Sequence, residues 1–354
     1  MRVDPWIFLP AVFLSVIGIL ILSSVSQDSF PNHFFYLGAA FIVFVLFANT
    51  DIKILRQFSP VFYFVSILFL LLTLIFAGNV RGSSRWLALG GFMFQPSELV
   101  KPFLVLFFAH IVARGRKLKF LWVSLLFLPP WLLVFLQPDF GSSMVLLSGF
   151  LGVVFLGGIP LRLAGCAFGV LVVGAPIFWK FLEEYQKHRI FSFLSPGSDP
   201  LGTGYNSIQS VIAVGSGGLL GRGLGQGTQS QLAFLPERHT DFIFAAMSED
   251  LGFIASVAVI FGFGVILFRI VSLMKNDTEI FSQALLAGIF SVLFVHVVIN
   301  IGMNVGVLPI TGIPLPFISS GGSSLISMSA MLGMVSQIAG DLNKRGSLGI
   351  MGGK

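Results

Sequence analysis

Long apolar runs separated by short polar stretches govern this chain. Ten of them stand out: Trp6–Ser24, Phe30–Ala48, Val61–Ala77, Ser97–Val112, Phe120–Leu136, Ser142–Gly158, Leu163–Phe181, Phe242–Phe268, Phe281–Val298 and Ser324–Ile338. A helix that crosses a bilayer takes ~20 such residues, and several of these runs are shorter, which leaves their ends open by a few positions. Only helices and closed barrels satisfy their backbone in lipid, and continuous rather than alternating apolarity excludes the barrel. The pattern predicts an all-α polytopic membrane protein of about ten transmembrane helices, a single domain over residues 1–354.

Composition agrees: 55% of 354 residues are hydrophobic, mean hydropathy is +0.94, and only 10% are charged. The net charge of +6 does not point to nucleic acid, because the basic residues are scattered over the loops between apolar runs. With the N-terminus inside, Arg2, Lys53, Arg56, the group from Arg114 to Lys119, Arg162, Arg269, Lys275, Lys344, Arg345 and Lys354 all face the cytoplasm. The short outer loops then hold only Arg81 and Arg85. Excess Lys and Arg marks the cytoplasmic side, so both termini are expected there. The lone cysteine, Cys166, excludes an intramolecular disulfide and a cysteine metal cluster. No small-residue cleavage site follows the first apolar run, which is read as a retained helix.

Three outer loops depart from a plain bundle. Gly78–Gln95 is glycine-rich and carries Arg81, Arg85 and Trp86. The loop between helices seven and eight, about 182–240, is one large extracytoplasmic segment, long enough to expect a function. It contains Glu183–Arg189 and the glycine-rich stretch Gly215–Gly223. Asn304–Ser323 is apolar yet holds Pro309, Pro314, Pro316 and Gly321-Gly322, the composition of a segment re-entering the membrane where protein satisfies its backbone.

Several ionisable residues sit at span boundaries. Glu98 and Lys101 are three apart and can pair on one helix face; Pro96 suits a first helical position, so Glu98 also fits a helix start. Lys101, inside an apolar run, fits either a buried ion pair or a substrate cavity. Asp139, between Pro138 and Gly141, reads first as a turn or cap residue. Glu249 and Asp250 are adjacent and point about 100° apart on a helix, so they form no acid–base couple. The densest charge lies in Phe234-Leu235-Pro236-Glu237-Arg238-His239-Thr240-Asp241-Phe242, at the boundary of an apolar run. Thr240 or Asp241 there is either a helix cap or, for Asp241, a general base at the membrane surface. Arg238 and His239 could bind an anion or solvate the loop. The glycines after Gly217 lack the Lys-Ser or Lys-Thr of a phosphate loop, and the five histidines are scattered.

These motifs resemble a known family. FLPERHTDFIFA (Phe234–Ala245) after GTQSQ (Gly227–Gln231), YQKHRI (Tyr185–Ile190), DPLGTGYNSIQS (Asp199–Ser210), QPSELVK (Gln95–Lys101), QPDFGSS (Gln137–Ser143) and LPITGIPLPFISSGGSS (Leu308–Ser324) together resemble the SEDS family of shape, elongation, division and sporulation proteins. The pairing of GTQSQL with FLPERHTDF is closer to the elongation members. The resemblance implies a peptidoglycan glycosyltransferase that polymerises lipid II on the outer face of the bacterial inner membrane, beside a class B penicillin-binding protein. It places the family's essential aspartate on Asp241 and its buried acid–lysine pair on Glu98 and Lys101.

That chemistry gives the remaining residues expected tasks. A sugar hydroxyl attacks an anomeric carbon while undecaprenyl pyrophosphate leaves, so Asp241 serves as base and the displacement inverts. Arg85, Lys101, Arg189, Arg222 and Arg238 are candidates to hold the leaving pyrophosphate, with a divalent cation (Mg or Mn) as a possible helper. Gln95, Glu98, Asp139, Glu237 and His239 complete the expected substrate-binding set. The competing readings are a lipid II transporter and a non-catalytic scaffold for the penicillin-binding protein.

Overall fold

The computed structural model describes residues 3–26, 30–76, 85–89, 92–115, 120–156, 180, 184–195, 204–232 and 234–351. The expected span Leu163–Phe181 lies outside the described residues except for Lys180, and Arg2, Arg81, Arg116, Lys117, Lys119, Arg162, Cys166 and Lys354 lie outside them too. The helices are α1 (Pro5–Val25), α2 (Phe30–Asn49), α3 (Ile52–Phe76), α4 (Pro96–Leu99), α5 (Lys101–Ala113), α6 (Phe120–Leu136) and α7 (Phe140–Leu156). They continue with α8 (Glu184–Leu194), α9 (Tyr205–Ser216), α10 (Thr228–Gln231), α11 (Ile243–Asn276), α12 (Ile280–Asn304) and α13 (Gly322–Met351). Among the described residues, seven helical spans are long and apolar enough to cross a membrane, and α6 and α7 are shorter apolar helices. One small sheet interrupts the all-α expectation: β1 (Leu87–Leu89) pairs antiparallel with β2 (Phe92–Phe94), Leu87 opposite Phe94, inside the first outer loop.

The bundle packs α2 on α13, α7 and α5 on α12, α1 on α11, and α3 on α5. Large apolar side chains such as Phe64, Phe261 and Phe268 point outward at 69–77% exposure, as lipid-facing residues do. Chain ends of the helices sort into two sets. At one end Asp4, whose carboxylate caps α1 by accepting from Trp6 N–H, bonds Arg269 at 2.6 Å, and Arg56 pairs with Glu279 at 2.9 Å. At the other end Arg238 Nε donates to Val25 O, the last residue of α1.

The sequence marks the segment after α12 as re-entrant, and its placement agrees. Ile313, Leu315, Phe317 and Ile318 are buried in the core although the backbone is irregular. Gly18 of α1 meets it directly: a Cβ there would stand 2.9 Å from Ile318 Cα. Gly18 is seven residues inside the Val25 end of α1, about 10 Å at helical rise, so the segment dips well below that end.

The large loop after the seventh run is not structureless. It carries α8, α9 and α10, and its glycine-rich stretch mends a break in α11. Gly252 adopts φ 79°, ψ −172° inside that helix. The break frees the N–H groups of Phe253 and Ile254, which donate to Gly218 O and Leu219 O at 2.9 and 3.2 Å. In return Arg222 N–H and Gly223 N–H donate to Glu249 O and Asp250 O, both at 3.0 Å. Buried backbone groups need partners, and here each half of a broken helix finds them in the same loop.

Candidate active site

Asp241 stands on a turn directly before α11. The cap expected of Thr240 or Asp241 is not formed: Phe242 occupies the cap position, and its own side chain makes no cap bond. The turn is wound instead around Glu237, whose φ is 49° and whose carbonyl accepts from the N–H groups of Thr240, Asp241 and Phe242 at 3.1–3.2 Å. Thr240 Oγ1 lies 3.3 Å from Glu237 Oε2. Across the turn lies the re-entrant segment. Ser320 N–H donates to His239 O at 3.0 Å and Ser319 Oγ–H to Thr240 O at 2.6 Å. Gly312 lies against the Asp241 carboxylate and against Arg189, close to both Asp241 Oδ2 and Arg189 Nη1.

This setting changes the acid. Burial pushes the Asp241 carboxyl up to about 6, and the charge of Glu237 adds to the rise. Arg189, Arg85 and the Thr240 hydrogen bond pull the other way. A cap would have favoured the ionised form; its absence leaves burial in control.

Next to this turn sits a second polar cluster. Asp139 Oδ2 accepts from Gln95 Nε2 at 2.6 Å and Ser97 Oγ at 2.9 Å, and Arg85 Nη1 stands 3.8 Å from Asp139 Oδ1. Asp139 Oδ1 also accepts from Ser142 N–H at 3.1 Å, so the cap reading holds alongside the cluster. Gln95 N–H donates to Ser323 Oγ, tying the cluster to the start of α13. Arg85 belongs to both groups, since it faces Asp139 and acts on Asp241.

Glu98 and Lys101 are a buried ion pair, Nζ to Oε1 at 2.5 Å, with side-chain exposures of 2% and 0%. Pro102 has no N–H, so the helix is interrupted at Val100 and the two charges fall in separate helices, α4 and α5. The pair is extended by two residues: Ser142 Oγ–H donates to Glu98 Oε1 at 3.2 Å, and His296 Nε2 stands 3.1 Å from Lys101 Nζ. Of the two readings of Lys101, the buried ion pair is the arrangement present: the ammonium is fully buried against Glu98 and His296.

Two expected substrate ligands have structural partners of their own. Arg222 bonds Ser216 O and Thr228 Oγ1, on the glycine-rich loop, and is not among the charges that act on Asp241. Arg238 faces the end of α1. His239 contributes its carbonyl to the joint with Ser320. Glu249 and Asp250, expected to face different surroundings, are both buried and both hold the loop. Glu249 accepts from Gln229 N–H and Ser230 N–H, and Asp250 from Ser24 Oγ–H and Gly225 N–H. Among the described residues no three His, Cys, Asp or Glu side chains converge as a metal-binding group.

A cleft of about 440 Å³ opens between α2, α3, α13 and the α4–α5 joint. Val43, Phe47, Phe62, Phe69, Leu99 and Ile326 line it, and it is almost wholly apolar. Leu99 and Val100 join it directly to the Glu98–Lys101 pair.

Fold and site together define a multi-pass membrane protein that gathers an acid and two arginines at one end of its helical bundle and opens an apolar cleft between its helices. The chain belongs to the cell cycle protein family of FtsW, RodA and SpoVE, whose model matches residues 4–344. It is 38% identical over 345 residues to the peptidoglycan glycosyltransferase MrdB of Escherichia coli K12, covering 95% of this chain and 93% of that one. It superposes on a chain of a peptidoglycan synthase complex, solved to explain how polymerization and crosslinking are coordinated. That match has a TM-score of 0.82, 33% identity and coverage of 96% of this chain and 98% of the other. The rod shape determining protein RodA of Thermus thermophilus matches with a TM-score of 0.72 and 27% identity, over 96% and 97% of the two chains.

Sequence reasoning missed His296, Asn300 and Asn304, which hold the site from behind. The signal was present: three polar residues at four-residue intervals in an apolar helix mark one inward face.

Proposed function

We propose that this chain is a peptidoglycan glycosyltransferase of cell elongation that polymerises lipid II at the outer face of the bacterial inner membrane. The observation that carries the proposal is Asp241, a carboxyl raised toward neutrality at a membrane-protein surface and flanked by Arg85 and Arg189. A general base works best with its pKa near the operating pH. Asp241 takes the proton of an acceptor sugar hydroxyl, the oxygen attacks the donor's anomeric carbon, and the pyrophosphate departs with its bonding electrons. Arg85 and Arg189 supply positive charge for that leaving group. The apolar cleft suits a prenyl chain. Attack in one step from the side opposite the leaving group inverts the anomeric centre, with no glycosyl-enzyme.

A protein that cross-links glycan strands is the fitting partner, since the related chain comes from a complex that joins polymerization to crosslinking. A class B penicillin-binding protein is the specific form of that partner proposed here. The same relationship favours the polymerase over a lipid II transporter or a passive scaffold. The test is polymerisation of purified lipid II in detergent by the full chain with its partner. Wild type should make glycan strands and Asp241→Asn should lose at least about a hundredfold in rate. An Asp241→Asn protein that folds, binds its partner and polymerises at the wild-type rate ends the base assignment.

A further inference from the structure

Three buried polar residues, His296, Asn300 and Asn304, stand four apart on α12, and each is 0% exposed. Four-residue spacing keeps them on one face, and that face meets both the re-entrant segment and the Asp241 turn. Asn300 Nδ2 donates to Asp241 O at 3.1 Å and to Ile313 O at 2.8 Å, one bond on each side of the joint. Asn304 Nδ2 donates to the same Asp241 carbonyl at 3.0 Å and to Asn300 O at 2.8 Å. Asn304 Oδ1 in turn accepts from Ala245 N–H, the third residue of α11, at 3.0 Å. With Ser319 on Thr240 and Ser320 on His239, three successive carbonyls before α11 are each fixed by the protein interior.

All of these bonds go to backbone. The two amides hold the Asp241 main chain and not its carboxylate, whose side-chain hydrogen bond is to Thr240. With the backbone fixed, only χ1 and χ2 remain to aim the side chain, and Gly312 and Arg189 bound that motion.

We propose that Asn300 and Asn304 are positioning residues that clamp the Asp241 carbonyl and so set the aim of its carboxylate. This rests on Asp241 being the base. Neither amide touches substrate. Their effect passes through the placement of Asp241, where an error of about 1 Å can cost a hundredfold in rate.

The test uses the full chain with its partner, polymerising purified lipid II. Rates are normalised to the folded, monodisperse fraction, for Asn300→Ala, Asn300→Ser, Asn304→Ala and Asn304→Ser. Serine keeps a donor able to serve one carbonyl. The expected result is a kcat per folded molecule lower by about ten- to a hundredfold for alanine, less for serine, with KM within about twofold. The acid limb of the pH–rate profile should move downward as the carboxylate gains water. Folded variants with unchanged kcat and unchanged pH profile overturn the proposal, and so does loss of the folded fraction in all four variants. If wild type makes no glycan, or Asp241→Asn matches it, the underlying reading has failed instead. If Asp241→Asn is inactive while the asparagine variants match wild type, only the positioning inference has failed.

Discussion

Lys101 Nζ stands 3.1 Å from His296 Nε2, and the other ring nitrogen of His296 faces the carbonyl of Pro314 at 3.3 Å. A carbonyl can only accept, so Nδ1 carries the hydrogen and Nε2 receives a hydrogen bond from the Lys101 ammonium. The lysine thereby joins α4, α5 and α12 to the re-entrant segment that backs the Asp241 turn. A charge pair that looks local in sequence is a brace for the whole site.

Removing one member of that brace strands the other. Lys101→Met should cost about 3–5 kcal/mol, because Glu98 is left charged and buried. Glu98→Gln combined with Lys101→Met should cost less than Lys101→Met alone. Thermal unfolding of the purified proteins in detergent reads both, and a double variant no more stable than the lysine single would contradict the pair.

The acid of the site dictates a pH dependence. Asp241 must be ionised to act as base, and burial raises its pKa to about 6. The rate should be flat above that value and fall as pH drops through it, about tenfold per unit well below. For stability the sign is opposite: the folded state holds this proton more tightly than the unfolded chain. Its contribution is present below the ordinary carboxylate range and fades as pH rises toward 6. A pH–rate profile, and melting temperatures from pH 4 to 7 for wild type against Asp241→Asn, check the two halves.

Gly252 allows the break in α11. Its φ of 79° disfavours any L side chain, and a Cβ would collide with Gly221 N in the docked loop. Gly252→Ala should destabilise by about 1–3 kcal/mol and loosen the loop first. Limited proteolysis should then find new cleavage between Gly217 and Gln231. An unchanged digestion pattern would mean that the loop is not held by this contact.

Glu249 predicts a related, separable effect. Its carboxylate accepts from Gln229 N–H at 2.9 Å and Ser230 N–H at 3.0 Å, both at the start of α10. Bonds to a charged group contribute about 1.5–3 kcal/mol each, so Glu249→Ala should unfasten α10. Hydrogen exchange should rise over Thr228–Gln231 while Ile243–Ser248 stays protected. Equal protection in both proteins would remove the carboxylate's assigned role.

Much was legible in the chain itself, and for physical reasons. Apolar runs near bilayer length specify spanning helices because lipid offers the backbone no partners, and α1, α2, α3, α11, α12 and α13 follow. Glu98 and Lys101 could be paired from spacing, and Asp241 singled out from charge density at a span edge. Proline and glycine density in Asn304–Ser323 announced a segment that could not be a plain helix. Tertiary structure alone decided the rest. Asp241 is not a cap, because the turn wound around Glu237 carries the chain one residue further, so that Phe242 takes the cap position. Glu249, Asp250 and Arg222 belong to the loop-bearing face, and Asn300 and Asn304 to the site, because the packing of α11 against the loop and against α12 chooses which polar atoms meet. Local pattern fixes where a residue lies along its own helix; which residue it bonds across a buried interface depends on partners in other elements, 59 positions away for Asn300 and Asp241 and 195 for Lys101 and His296.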